Sequence, residues 1–120
     1  MNTKLNHVVR IYVPSTTNVN QADAAAGAAF TDICLLELAK MFGGATALPT
    51  IGAWVSHFAG LVKEPINIVY AYCTEAGLKD HQADVIALAS RIAIEMKQEA
   101  VSLEIDGELS FITAEHRQAA

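Results

Sequence analysis

The fold is decided by residues 66 to 73, which read Ile-Asn-Ile-Val-Tyr-Ala-Tyr-Cys. Side chains alternate between the two faces of a β-strand. Both faces of this segment are largely apolar or aromatic: Ile66, Ile68, Tyr70 and Tyr72 on one, and Val69, Ala71 and Cys73 on the other. A strand that is apolar on both faces lies in the centre of a sheet or at an interface.

The preceding segment, Ala45 to Val55, predicts a second and less regular strand. Its threonine, isoleucine, valine and tryptophan residues favour extended backbone. Pro49 cannot donate to a ladder and Gly52 weakens a strand interior, so both suit an edge strand or a bulge. Ser56 to Pro65 is predicted to be the connection, with its turn at Gly60.

One long helix is predicted before these two strands in the chain, and a second is predicted after them. The first runs from Gln21 to Phe42 with Asn20 as its N-cap, and the second runs from Asp80 to Lys97 after a turn at Gly77. Each has an apolar stripe at helical spacing: Phe30, Cys34, Leu38 and Met41 in the first, and Val85, Leu88, Ala89, Ile92 and Met96 in the second.

The two ends of the chain predict further strands. Leu5 to Val13 alternates and is ended by Pro14, and the residues from Val101 to Ile105 alternate in the same way. Asp106-Gly107 is a two-residue hairpin turn, which predicts a short return strand after it. Thr113 to Ala120 is polar and is predicted to fray.

The predicted order is strand, helix, strand, strand, helix, strand, followed by a short extra strand. This order predicts a single α+β domain over residues 1–120, a ferredoxin-like βαββαβ sandwich with an antiparallel sheet. Both helices are expected on one face of the sheet. The other face is left open for a ligand or a partner.

Composition limits the function. Hydrophobic residues make up 52% of the chain, which is rich for a small domain and predicts contact with a second copy, most simply a homodimer. The net charge of −5 and the scattered lysines and arginines argue against nucleic-acid and anionic membrane partners. Neither a signal peptide nor a transmembrane run is readable, which predicts a cytoplasmic protein with free, buried thiols at Cys34 and Cys73.

Candidate site residues lie mainly on the expected open face. That face is expected to carry some of Arg10, Tyr12 and Trp54, together with either Tyr70 and Tyr72 or their odd-numbered neighbours, as contacts for a ligand or partner. Tyr70 and Tyr72 are predicted to be either core residues or one wall of an aromatic-lined pocket. Trp54 is predicted to be a ligand contact, an interface contact or a core anchor.

Acid–base chemistry has only weak candidates in the sequence. If the protein is an enzyme, we assign general acid–base catalysis to His57, Glu64 or a tyrosine. The four histidines lack metal-ligand spacing, so we predict neither a metal site nor a cofactor.

Three short motifs carry a resemblance to a known group of proteins. Phe42-Gly43-Gly44-Ala45-Thr46, Gly52-Ala53-Trp54 and Val62-Lys63-Glu64-Pro65 resemble a pattern in small, uncharacterised bacterial accessory proteins of mobile elements, carried on phages, plasmids or integron cassettes. The resemblance implies a compact ferredoxin-like domain with an accessory function. It supplies no catalytic residues.

Three functions follow as hypotheses. The first is a non-catalytic binding or regulatory module that dimerises through the open sheet face or the edge strand. The alternative is a cofactor-free small-molecule enzyme, similar to an isomerase or monooxygenase, in which Trp54, Tyr70 and His57 would converge on a pocket between the sheet and the helices for an apolar ligand. A further alternative is an inhibitor of a host protein.

Overall fold

A computed structural model describes residues 3–17, 21–22 and 24–114 of the chain. The predicted cap at Asn20 lies outside these residues, as do residues 115–120 of the tail that is predicted to fray from Thr113. Thr113 itself belongs to a strand and pairs with Ala100. The elements are β1 (His7–Pro14), β2 (Thr16–Thr17), β3 (Gln21–Ala22), α1 (Ala24–Phe42), β4 (Thr46–Ser56), β5 (Gly60–Cys73), α2 (Glu75–Glu95), β6 (Ala100–Ile105) and β7 (Glu108–Thr113).

The main sheet has five strands in the order β4-β5-β1-β6-β7, and every neighbouring pair is antiparallel. Counted without the small β2–β3 pair, this is the order 2-3-1-4-5. The predicted α+β class with two helices and an antiparallel sheet is confirmed, and the architecture is consistent with a ferredoxin-like fold. The extra strand β7 is not short, because it has six residues and pairs with all six of β6.

Both helices cover one face of the sheet. Odd-numbered residues of the central strands point into this layer and are fully or almost fully buried, including Val9, Ile11 and Val69. The predicted apolar stripes of the two helices pack against these strand residues, and Leu38 and Ile92 are fully buried there. Burial of each such side chain contributes about 1.5–3 kcal/mol. Even-numbered residues of the same strands therefore form a second sheet face that no described helix covers.

Helix α2 begins five residues before its predicted start. The side chain of Thr74 accepts a hydrogen bond from the backbone N–H of Gly77 at 3.0 Å, which is an N-cap. Gly77 therefore lies in the first helical turn and does not close a loop. A methyl group at this glycine would meet the Thr74 hydroxyl at 3.2 Å, so the capped turn favours the smallest residue.

The predicted connection from Ser56 to Pro65 is wrong. Strand β5 begins at Gly60 and has 14 residues, so only a tight turn separates it from β4. The hydroxyl of Ser56 accepts hydrogen bonds from the N–H groups of Phe58 and Ala59, and Gly60 takes a φ of 68° to close the turn. The result is one long hairpin with β4 as the edge strand, as its proline and glycine predict.

The far end of this hairpin, residues 51 to 62, is apolar and exposed, and we call it the apolar arm. Phe58 at its tip is fully exposed, and Val55 is 79% exposed. No Asp, Glu, Lys or Arg occurs between residues 41 and 62. A long, uncharged and exposed edge strand is a surface that other chains can pair with.

The thiols are expected to be inert in the native protein. Burial raises the pKa of Cys34 to about 12, and burial together with the charge of Asp106 raises the pKa of Cys73. Because the thiolate is the reactive form, a disulfide reagent at pH 8 should label neither cysteine until denaturant is added. Denaturation should then release two thiols per chain, both of which are free and buried in the structure. Rapid labelling of the native protein would contradict this expectation.

Asp106 joins the last hairpin to β1 and should make stability depend on pH. Its carboxylate accepts hydrogen bonds from the His7 ring at 2.6 Å and from the Val8 N–H at 2.9 Å. These bonds lower the pKa of Asp106 below its usual 3.8. A carboxyl with a lowered folded-state pKa stabilises the protein above its unfolded-state pKa, and this contribution is lost as the pH falls through the folded-state value.

Urea titrations between pH 6 and pH 2 will measure this linkage. The free energy of unfolding of Asp106→Asn should fall less steeply below about pH 4 than that of the wild type. Asparagine suits this position because Asp106 has a φ of 52° in the turn. Glu108→Gln, which removes one nearby charge, is the matched control and should retain the wild-type slope. Equal slopes for wild type and Asp106→Asn would contradict the assignment.

Candidate functional site

The uncovered face of the sheet carries a row of polar and aromatic side chains. Thr46 of β4 pairs with Tyr70 of β5, Tyr70 pairs with Arg10 of β1, and Arg10 pairs with Glu104 of β6. Residues paired directly across strands point to the same face and lie close together. Four strands thus place an aromatic ring, a cation and a carboxylate side by side.

A hydrogen-bonded cluster of three side chains lies in and beside this row. Arg10 Nη1 donates to Glu104 Oε2 at 2.6 Å, and the Tyr12 hydroxyl donates to Glu104 Oε1 at 3.3 Å. The Glu104 side chain is only 17% exposed and that of Arg10 is 29% exposed. Removal of water at this level strengthens the electrostatic interactions of the cluster.

The same cluster controls the protonation of Tyr12. Burial raises the pKa of Tyr12, and the charge of Glu104 and its hydrogen bond raise it further, with Arg10 acting in the opposite direction. The phenol therefore stays protonated at neutral pH and remains a hydrogen-bond donor. Its partner Glu104 receives one hydrogen bond on each carboxylate oxygen.

Two tyrosines form an aromatic wall beside the cluster. The rings of Tyr70 and Tyr72 meet edge to face, with 6.0 Å between their centroids. The Arg10 guanidinium carbon lies 5.7 Å from the Tyr70 centroid, which is a cation–π distance. Tyr70 is thus the residue shared by the aromatic wall and the charged cluster.

A cleft of about 460 Å³ opens on the other side of this wall, where α1 ends and β4 begins. We call it the helix-end cleft. A volume of this size is within the range of small-molecule sites. Its lining is mostly aromatic or glycine, and includes Phe42, Gly43, Gly44, Thr46, Tyr70 and Tyr72.

The structure brings together some of the residues proposed from the sequence. Arg10, Tyr12 and Tyr70 lie in or beside one cluster, and Tyr72 lies next to it. Trp54, which is 46% exposed, lies on the apolar arm opposite Val62. It is eight residues along β4 from Thr46, or about 26 Å at strand spacing.

His57 and Glu64 also lie away from the cluster. His57 occupies the turn of the apolar arm, and Glu64 pairs with Gly52 in the middle of the hairpin. Within the described part of the chain, no hydrogen bond or ion pair joins them. One chain therefore does not place His57, Trp54 and Tyr70 around a common pocket.

Glu104 is the site residue that the sequence did not reveal. In the alternating segment before the Asp106-Gly107 turn it looks like an ordinary solvent-facing carboxylate. Only the register of β6 on β1 places it opposite Arg10, 94 residues earlier in the chain. The available signal was weak: an arginine and a tyrosine on the polar face of a central strand imply an acidic neighbour.

Two features of the described residues bear on metal binding and on membrane insertion. Residues 3–17, 21–22 and 24–114 contain no group of three or more His, Cys, Asp or Glu side chains arranged to hold a metal ion. No helix in the described part of the chain is long and apolar enough to span a membrane.

The fold and site define an α+β protein whose open sheet face carries a carboxylate, a guanidinium and three tyrosines. No protein-family model matches the chain, and no curated protein matches its sequence. Two solved structures share its fold. One is a phage SAM lyase in complex with S-methyl-5'-thioadenosine, with a TM-score of 0.67, 23% identity, and coverage of 94% of this chain and 93% of the other.

The second is a phage SAM lyase in the apo state, with a TM-score of 0.64 and 19% identity. The match covers 96% of this chain and 97% of the other. At these identities the likeness establishes the fold alone. It extends over nearly the full length of all the chains.

Proposed function

We propose that this chain is a lyase that cleaves S-adenosylmethionine and releases S-methyl-5'-thioadenosine. The observation that carries the proposal is the Arg10–Glu104–Tyr12 cluster beside two tyrosines on an open sheet face. The full-length fold likeness to phage SAM lyase supports it. This proposal favours the small-molecule enzyme over the non-catalytic module.

The charges of the site complement those of the proposed substrate. S-adenosylmethionine carries a carboxylate, an ammonium group, a sulfonium and an adenine ring. Arg10 uses one of its five N–H donors on Glu104 and has others for a carboxylate. Glu104 attracts an ammonium or sulfonium cation, and the face of Tyr70 attracts a sulfonium in the same way as other ligand cations.

The reaction needs no cofactor to balance. The bond between the sulfonium sulfur and the side-chain carbon breaks, and its electron pair returns to sulfur to give a neutral thioether. As this bond breaks, the carbon bonds either to the carboxylate oxygen of the substrate itself, which gives a lactone, or to its neighbouring carbon in a double bond, with one proton passing from that neighbour to solvent water. In both routes Arg10 orients the substrate carboxylate and Glu104 offsets the substrate cation.

The test is incubation of purified protein with S-adenosylmethionine, with both products identified by mass spectrometry. The expected result is S-methyl-5'-thioadenosine in equal amount to a lactone or an unsaturated amino acid, well above the spontaneous rate without protein. S-adenosylhomocysteine is the substrate control, because its sulfur is a neutral thioether and should not be cleaved. Absence of turnover at micromolar protein would refute the proposal.

We also propose that a second copy of this chain covers the apolar arm, in a homo-oligomer of which a dimer is the simplest form. The arm is uncharged although the chain has a net charge of −5, so two copies can meet there without repulsion. Edge strand β4 can also pair with its own copy about a two-fold axis. A cytoplasmic accessory role on a mobile element, predicted from the sequence, remains part of the proposal.

A further inference from the structure

The helix-end cleft has features that the proposed reaction does not use. We infer that it binds the adenine ring of the nucleoside, and the inference rests on the proposed function for the identity of the ligand. Three observations carry it. The backbone at the cleft has unused hydrogen-bonding groups, the cleft is lined by aromatic side chains and two adjacent glycines, and its distance from the charged cluster suits the ligand.

The backbone at the end of α1 offers one acceptor and one donor to a ligand. Gly43 takes a φ of 91° and its N–H closes the helix on the carbonyl of Ala39 at 2.8 Å. Among the described residues, no backbone hydrogen bond engages the carbonyl of Phe42 or the N–H of Gly44, and both residues line the cleft. Adenine presents an amino donor beside a ring-nitrogen acceptor, which complements this pair of groups.

The lining also suits a flat aromatic ring. Phe42 and Tyr72 supply aromatic surfaces, and any nucleic-acid base can stack on such side chains. A methyl group placed at Gly43 or Gly44 would meet no atom within 4 Å, so both positions leave free space. A planar base can approach the backbone there more closely than any side chain would permit.

The position of the cleft agrees with the proposed chemistry. Thr46 at the cleft and Glu104 in the cluster belong to the same cross-strand row, three strand spacings or about 14 Å apart. Tyr70 lies between them. A nucleoside with its base in the cleft therefore directs its 5' sulfur toward Tyr70 and its amino-acid part toward Arg10 and Glu104.

The test uses S-methyl-5'-thioadenosine as the probe and calorimetry on the purified full chain. Gly44→Leu should weaken binding at least about tenfold, because the new side chain begins in free space at the cleft, where its Cβ would meet no atom of the fold within 4 Å. Tyr72→Ala should weaken it about tenfold by loss of stacking, and Tyr72→Phe should restore it. Ala83→Leu on the exposed surface of α2 is the matched control and should bind as the wild type does.

The inosine analogue of S-methyl-5'-thioadenosine tests the backbone groups, because it has a carbonyl in place of the amino group. The wild type should bind this analogue at least about tenfold more weakly than it binds S-methyl-5'-thioadenosine. Gly44→Leu should bind the analogue no more tightly than the wild type does. Unchanged affinity of Gly44→Leu and Tyr72→Ala would overturn the inference, even if the wild type cleaves S-adenosylmethionine. If the variants bind as expected but the wild type does not cleave S-adenosylmethionine, the assignment of the cleft stands and the lyase proposal is refuted. No binding by the wild type would overturn the cleft assignment.

Discussion

Glu104→Gln should lower kcat/KM for S-adenosylmethionine by about 30-fold to several thousandfold. The substitution keeps the shape of the side chain, but it removes the charge that faces the substrate cation and replaces one of the two acceptor oxygens with an NH2 donor. Loss of one partner from a largely buried, hydrogen-bonded charge pair costs about 2–5 kcal/mol in measured cases. That cost corresponds to the stated range of rates.

The control is Glu99→Gln, which removes one charge from an exposed position away from the cluster. It should leave kcat/KM within about twofold of the wild type. Thermal unfolding of both variants separates loss of activity from loss of fold. If Glu104→Gln retains full activity and full stability, the cluster is not the catalytic site.

The double substitution Val55→Asp with Phe58→Asp should raise the dissociation constant for self-association by at least about a hundredfold. Both side chains are exposed in the single chain, so their replacement leaves the core unchanged. Within an interface, each new carboxylate would lose water without a partner, which costs several kcal/mol. In a two-fold dimer every substitution acts twice.

Sedimentation velocity from one to one hundred micromolar measures this effect. The wild type should sediment as an oligomer over most of the range and the double variant as a monomer. Leu36→Asp, which places the same charge on an exposed position of α1, should associate as the wild type does. A wild type that is monomeric throughout, or a double variant that associates normally, would refute coverage of the arm by a second copy.

The sequence predicted those elements whose pattern is local. Residues 66 to 73 lie on the predicted strand and occupy an interior position in the sheet, because apolar side chains on both faces require cover or neighbours. Asp106-Gly107 forms the predicted turn, with positive φ at both residues. The helical stripes supply buried side chains to the core.

The errors have physical causes. A strand is normally recognised in a sequence by the apolar residues of its buried side. This part of β5 belongs to a hairpin with little core contact, so it has no such side, and its residues Lys63, Glu64 and Pro65 look like loop residues. The sequence places a turn at Gly77 because glycine normally favours turns, whereas here it lies in the first turn of α2 close to the Thr74 cap, where there is little room for a side chain. The role proposed for Glu104 depends on strand register, which no local pattern encodes.

The central position of β1 has a consequence for synthesis of the protein. Arg10 leaves the ribosome early, yet its partner Glu104 is made 94 residues later. Translation proceeds from the N-terminus, and contacts between distant segments form last. Any chain released before about residue 104 therefore lacks the carboxylate of the cluster, and a nascent chain acquires its complete site only after β6 has been made.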